Sequence, residues 1–294
     1  MGLFWQQTLD GVVSGSVYGA LALSIVLVHR ASGIVNFAQG EMAMLGAFLA
    51  WQLISWGAPL YAAAALAMAA TFALGVACER LLIAPFRRRS TLFPLVIVTL
   101  GLMLLVNSAA GWTWGYQTKE VPKAFGPGAI TIAGASVSRQ GAGVIVCVIA
   151  AAAALYLLFQ RTTFGVYLRA ASTNAESAAL SGIPVGRMLM VGWGLAAALG
   201  TLVGLLVAPQ LFLHVNMMSP LLIYAFAAAT LGGLDSPPGA IVGGLIVGIV
   251  ENLAGTYVDL IGNEFGQGVA FLLILIVLSV KPEGLFGTRS AVRV

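Results

Sequence analysis

Charge is what this sequence has least of. Only 8% of its 294 residues are Asp, Glu, Lys or Arg, against about 25% in a soluble domain. In their place, 60% of the residues are hydrophobic and the mean hydropathy is +0.99. A deficit spread along the whole chain excludes a soluble globular protein and points to a polytopic membrane protein. Lysine is limited to Lys119, Lys123 and Lys281. None stands in a G-x-x-x-x-G-K-[ST] loop, which excludes ATP hydrolysis by this chain. The two histidines, His29 and His214, are far apart and have no ligand-spaced companions, so no metal site is expected. Cys78 and Cys147 fall in different apolar runs and read as small packing residues. The G-x-S-x-G elbow of the hydrolases is missing. No cluster interleaves aromatic with basic residues, and the net charge of +4 gives no reason to invoke nucleic acid. A non-catalytic protein without cofactor is therefore expected. The first twenty-nine residues contain no Lys or Arg. The positive n-region of a cleavable signal is thus missing, and the first apolar run is expected to be a permanent span.

Long apolar runs are what the sequence has instead. A helical span takes about 20 mostly apolar residues. Runs near 8–28, 34–56, 59–84, 93–113, 141–159, 188–208, 217–234, 239–257 and 266–280 meet this description. They are too long and too continuously apolar for barrel strands, which alternate over about 10 residues. The expected fold is all-α, a single transmembrane domain over 1–294 with eight or nine membrane-spanning helices. The runs at 34–56 and 217–234 carry enough glycine and polar residues to be broken or re-entrant.

The few basic residues set an orientation, because short cytoplasmic loops are enriched in Lys and Arg. Arg87, Arg88 and Arg89 are the densest cluster and place 85–92 inside. Arg30, Arg161, Arg169, Arg187, Lys281, Arg289 and Arg293 then fall on the same side. Lys119, Glu120, Lys123 and Arg139 share one longer loop outside, and Asp259 and Glu264 another. Nine spans with the amino terminus outside and the carboxyl terminus inside fit this bias. A cysteine at 125 is expected to be accessible from outside, and one at 90 not.

Glycine is abundant, with 36 residues, and several pairs lie four apart: Gly15 and Gly19, Gly200 and Gly204, Gly239 and Gly243, Gly244 and Gly248. That spacing lets helix backbones approach closely. Tight packing within the chain is the expected use, with a dimer seam as the alternative.

Polar groups inside apolar runs are functional candidates, because a carboxylate at mid-bilayer costs about 2.5–3.5 kcal/mol on insertion scales. Asn36, Gln39 and Glu41 cluster with Gly40 at the start of the second run. On a continuous helix, Asn36 and Gly40 share one face and Gln39 lies near it. They are read as lining the route of a polar solute, which has to exchange its hydration for protein groups. Glu41 points elsewhere. It either joins the route or lies near the inner interface, braced by Arg30 or another basic or hydroxyl partner. Glu251 and Asn252 in the eighth run fit an interfacial place, with the route as the alternative for Glu251, and Asn107 is read as a helix-packing hydrogen bonder.

Between Arg161 and Arg187 the chain is polar and cannot span a membrane. Thr173 and Glu176 have the spacing of a capping box. Ala175 to Leu180 then reads as a short helix, stopped by Gly182 and Pro184. A capped helix at the membrane surface suits a lever for a soluble partner. The alternative is an ordinary surface loop.

Four segments in order resemble the branched-chain amino acid permeases of bacterial ABC importers, in particular the shorter of their two membrane subunits. They are GSVYGALAL (15–23) followed by GIVNFAQGEM (33–42), RAASTNAESAALSGIPVGRM (169–188), ATLGGLDSPPGAIVGGLIVGIVEN (229–252) and KPEGLFG (281–287). The resemblance covers nearly the whole chain. It implies a permease half in the bacterial inner membrane. Its partners would be a second homologous permease subunit, two cytoplasmic ABC ATPase subunits and a periplasmic substrate-binding protein. It implies that 169–188 contains the coupling helix, which puts Arg169, Thr173, Asn174, Glu176, Gly182 and Arg187 on the ATPase-facing segment. It also implies passage of branched-chain or related small amino acids. One position departs from the pattern: the family often has His where Gln39 stands, so a titrating group is missing there. Urea, amide and aromatic-acid importers share the family and are the alternative substrate classes. An ion-coupled secondary transporter is the alternative mechanism, and it would favour paired intramembrane charges and an inverted repeat.

Overall fold

The computed structural model of the protein describes residues 2–87, 92–132, 134–258 and 266–287. Arg88, Arg89, position 90, Asp259, Glu264, Arg289 and Arg293, all used above for orientation, lie outside the described residues. The elements in chain order are α1 (Gly2–Ser32), α2 (Gln39–Ser55) and α3 (Leu60–Cys78). A π-helical turn at Glu79–Ile83 leads on to α4 (Ala84–Arg87) and then α5 (Leu92–Trp114). A hairpin of β1 (Ala129–Ile132) and β2 (Ala135–Ser138) precedes α6 (Arg139–Arg161), α7 (Thr163–Thr173) and α8 (Ala175–Leu180). The chain closes with α9 (Val185–Leu211), α10 (Ser219–Gly232), α11 (Pro237–Tyr257) and α12 (Gly266–Val280).

Each of the nine apolar runs contains a helix. Six stretches among the described residues are long and apolar enough to cross a membrane: Gly2–Ser32, Leu60–Arg87, Phe93–Trp114, Arg139–Arg161, Val185–Leu211 and Pro237–Tyr257. The helices α2, α10 and α12 have 17, 14 and 15 residues, short of the ~20 that a perpendicular crossing takes. The reason is visible at α2. Residues 33–38 are not helical, because α1 stops where Gly33 takes φ +72°. The second run therefore spends its first residues on a turn. The hairpin in the loop after α5 and the separate helix α7 were not expected. The hairpin pairs Ala129 with Ser138 and Ile132 with Ala135, antiparallel.

The residues sort into two compact units, one of 1–26, 125–146 and 220–294, the other of 27–124 and 147–219. In the first, α1 and α11 meet backbone to backbone. A Cβ on Gly15 would stand 2.7 Å from the Gly244 carbonyl oxygen, and one on Gly11 2.7 Å from the Ile249 Cα. Gly239 and Gly243 face Gly232 and Ala228 on α10 in the same way. The loop after α10 turns at Gly233, with φ +102°, and Ser236 caps α11 by accepting from the Gly239 N–H at 3.1 Å, with Pro237 in the first turn. The KPEGLFG segment folds back on this turn. Leu285 N–H donates to the Leu231 carbonyl at 2.7 Å and Phe286 N–H to that of Gly232 at 3.1 Å. The third and fourth resembling segments are therefore one structural feature.

In the second unit α9 is the axis, packed by α2 and α3. Gly204 lies against the Ala43 carbonyl and Gly46 against the Thr201 side chain; a Cβ on Gly75 would stand 2.6 Å from the Trp193 carbonyl oxygen. Thr71 and Thr201 share a buried hydrogen bond of 2.7 Å. Every glycine pair singled out from the sequence is thus used within a unit.

Candidate functional site

The polar cluster before and at the start of α2 lies wholly in the second unit. Asn36 sits in the turn, not on the helix, which corrects the shared helical face expected for Asn36 and Gly40. Its Oδ1 accepts from the Ala38 N–H at 3.0 Å and its Nδ2 donates to Gln39 Oε1 at 3.3 Å. Gln39 is the first residue of α2, and its Nε2 donates to the Ala196 carbonyl of α9 at 2.8 Å. Both side chains are completely buried. Gly200, one turn further along α9, makes room: a Cβ there would lie 2.8 Å from the Gln39 Nε2. The pair fixes the place where the chain enters α2.

Glu41 faces another way, as its position on the helix dictates. Its Oε2 accepts from Asn107 Nδ2 of α5 at 3.2 Å, and that amide also reaches Asn216 Oδ1 at 3.2 Å. The partner is an amide rather than the basic or hydroxyl group expected. Asn216 is exposed, Asn107 half-buried and Glu41 buried. The three form a polar trail from the surface to the start of α2. Asn107 is the helix-packing hydrogen bonder expected of it, but nothing in the sequence pairs positions 41 and 107.

Arg161 to Arg187 holds two helices. Thr162 caps α7, accepting from the Gly165 N–H at 3.3 Å. Thr173 ends α7, and its hydroxyl donates back to the Arg169 carbonyl at 2.9 Å. It therefore does not cap α8, and no capping box with Glu176 forms. Asn174 does the capping, its Oδ1 accepting from the Ser177 N–H at 2.9 Å. Asn at an extended position one residue later competes better for this role than a Thr already helical. The far end closes as a Schellman turn. Gly182, at φ +82°, donates to the Ala179 carbonyl at 3.0 Å and Ile183 N–H to that of Ala178 at 3.0 Å. Glu176, Gly182 and Arg187 are exposed, and Leu180 projects with 86% of its surface accessible. Arg169 points the other way, donating to the Phe159 carbonyl of α6.

Two polar sites in helices escaped the sequence reading. Glu79 is buried and paired with Arg87 at 2.7 Å across the π-helical turn. Glu251, read as interfacial, accepts from the buried Tyr18 hydroxyl at 2.8 Å, and Tyr18 stacks on Tyr224 with ring centroids 4.6 Å apart. Tyr18 lies inside one of the resembling segments, but an isolated Tyr in an apolar run carries no signal of its own.

Six helices among the described residues, long and apolar enough to cross a membrane and packed against one another at glycines, are the architecture of a multi-pass membrane protein. Residues 7–278 match the sequence profile of the family described as branched-chain amino acid transport system / permease component. The chain is 30% identical over 302 residues to the high-affinity branched-chain amino acid transport system permease protein LivH of Salmonella typhimurium, covering 97% of this chain and 96% of that protein. It is 30% identical over 299 residues to LivH of Escherichia coli K12, with the same coverage. To the corresponding protein BraD of Pseudomonas aeruginosa it is 29% identical over 302 residues, again 97% and 96% covered. The chain belongs to the branched-chain amino acid transport permease family.

Proposed function

We propose that this chain is the permease subunit of an ABC importer that carries branched-chain or related small amino acids across the bacterial inner membrane. It acts with a second homologous permease subunit, two cytoplasmic ABC ATPase subunits and a periplasmic substrate-binding protein. All of 1–294 serves as one permease domain. Nine crossings, with the shorter helices α2, α10 and α12 among them, leave the amino terminus periplasmic and the carboxyl terminus cytoplasmic. Family membership over residues 7–278 is the observation that carries this reading.

Two local features support particular roles. The α8 helix is fixed at both ends by Asn174 and Gly182 yet offers Glu176 and Leu180 to solvent. A rigid, exposed helix of this kind transmits a push from an ATPase, with Arg169, Thr173 and Arg187 holding its flanks. The solute route passes the start of α2. Glu41, linked through Asn107 to the exposed Asn216, offers a carboxylate to a solute ammonium. Asn36, Gln39 and Gly40 hold the helix start in place beside it. An apolar wall there would not repay the solute's lost hydration.

Affinity purification of the tagged chain from native membranes tests the reading. An ATPase and a second permease of the same family should co-purify in fixed ratio. Recovery of the chain alone from gently solubilised membranes contradicts it.

A further inference from the structure

The side-chain amide of Asn107 has more acceptors around it than hydrogens to give. Its Nδ2 lies 3.2 Å from Glu41 Oε2, 3.4 Å from the Val215 carbonyl oxygen and 3.2 Å from Asn216 Oδ1. The amide nitrogen carries only two hydrogens, so one of the three oxygens is always left short. The four residues come from α2, α5 and the loop between α9 and α10, all within one compact unit. We propose that the Asn107 amide stands where a solute ammonium docks, that the three oxygens it faces are the receptor, and that the solutes are primary ammonium compounds, α-amino acids with an unsubstituted –NH3+.

Donor count and charge carry the argument. An ammonium has three N–H donors, one for each oxygen. It also supplies the charge that Glu41 lacks. Glu41 is 6% exposed, the Asn107 amide is its side-chain partner, and no ion pair to it occurs among the described residues. A carboxylate within a span calls for a counter-charge or a watery cavity, and a neutral amide provides neither. The three distances exceed the usual N–H···O separation of about 2.9–3.0 Å, as expected of two hydrogens shared among three acceptors. Charge-assisted bonds close to about 2.7–2.9 Å, so an ammonium would draw the same oxygens in. Metal coordination needs far more, since calcium takes six to eight oxygens at about 2.3–2.6 Å.

The receptor is held in place without the solute. In the loop after α9, the Met217 N–H donates to the His214 carbonyl at 3.1 Å and the Ser219 N–H to that of Asn216 at 3.2 Å. Leu213 exchanges two main-chain hydrogen bonds with Lys119, at 2.8 and 3.0 Å. These bonds fix the Val215 carbonyl and the Asn216 backbone, and a receptor ordered beforehand costs the solute less. Asn107 is the member free to turn, being half-buried and held by long bonds alone, and the exposed Asn216 gives the approach. The ammonium nitrogen takes the place of the amide nitrogen, so the site needs one side chain turned aside and no preformed cavity. Asn107 is thus a placeholder that keeps the receptor paired until a solute arrives.

The inference rests on the reading that the solute route passes Glu41, and binding separates the two. Equilibrium binding to the full-length purified chain, without ATP or any periplasmic protein, is measured for L-leucine, N-methyl-L-leucine and 4-methyl-2-oxopentanoate, which has no ammonium. Wild type should bind leucine about tenfold more tightly than N-methylleucine, the loss of one charge-assisted hydrogen bond. Asn107→Ala should bind leucine about fivefold more tightly than wild type, because no side chain has to leave first. Glu41→Gln should bind it at least about tenfold more weakly. Unchanged or weaker leucine binding by Asn107→Ala overturns the inference, as does equal binding of leucine and N-methylleucine by wild type; the route past Glu41 survives both if leucine still binds better than the oxo acid. Leucine bound no better than the oxo acid by wild type and Asn107→Ala alike removes the ammonium site and the route with it. If Asn107→Ala does not fold, the comparison of leucine with N-methylleucine on wild type decides.

Discussion

The side-chain amide of Gln39 donates to the main-chain carbonyl of Ala196 at 2.8 Å, which ties the first residue of α2 to the middle of α9. The same side chain accepts from Asn36, so both of its ends are used without water. Gln39→Leu removes two buried hydrogen bonds, at about 0.5–1.5 kcal/mol each. The expected result is a lower unfolding midpoint of the purified protein together with reduced uptake. Gly200→Ala should reproduce the defect, because its Cβ would crowd the Gln39 amide. An unchanged midpoint in both variants would show that the link does not hold α2.

Asn174, not Thr173, caps the exposed α8 helix. Asn174→Ala should cost α8 about 1 kcal/mol and weaken the coupling of transport to ATP hydrolysis. Asn174→Asp should retain both. Thr173→Ala should be nearly silent, since its hydroxyl only returns to the Arg169 carbonyl. Gly182→Pro removes an N–H bonded to Ala179 and forbids the positive φ, so it should uncouple more strongly than Asn174→Ala. The check is substrate-stimulated ATPase activity and uptake, measured on the same preparations. A larger defect in Thr173→Ala than in Asn174→Ala would contradict the capping assignment.

The closest approach of α1 to α11 is made at glycines. Gly15→Ala would put a methyl 2.7 Å from the Gly244 carbonyl oxygen and force the helices apart. Overpacking of this kind costs about 1–3 kcal/mol. Gly101→Ala, with nothing within 4 Å of its Cβ, should be neutral or stabilise by up to about 1 kcal/mol. Thermal unfolding in one detergent compares the two. Equal effects would mean that the backbone contact is not tight.

Orientation is tested by impermeant thiol labelling in intact cells lacking Cys78 and Cys147. Lys123→Cys and Leu180→Cys both place an exposed thiol in a described segment. The first should label from outside, the second only after lysis. The reverse pattern would invert the topology and remove α8 from the cytoplasm.

The sequence showed the helices well, because a long apolar run favours a helix and each of the nine runs contains one. It showed α8 with its bounds intact, because glycine and proline stops are local signals. Partners distant in sequence were invisible: Glu41 with Asn107, Gln39 with Ala196, Tyr18 with Glu251. Those pairings depend on how helices pack, and periodicity carries no trace of them. The cap was misplaced by one residue because Thr173 and Asn174 are both capping types. Only the backbone decides which is extended; Asn174 is, at φ −152° and ψ 100°. Asn36 was placed on a helix because its run is long enough for a span, although the glycine and polar residues there already allowed a break; where the turn before α2 falls depends on Gly33 and on the buried bonds of Asn36 itself.

Energy coupling is the central claim, and uptake into membrane vesicles tests it most directly. Vesicles containing the chain with its co-purifying partners and binding protein are given labelled leucine, isoleucine and valine, with or without ATP, and with or without a protonophore. ATP-dependent accumulation that survives the protonophore, and is lost when the ATPase active site is disabled, is the predicted result. Accumulation that needs no ATP and collapses with the protonophore would contradict the account and make the protein an ion-coupled carrier.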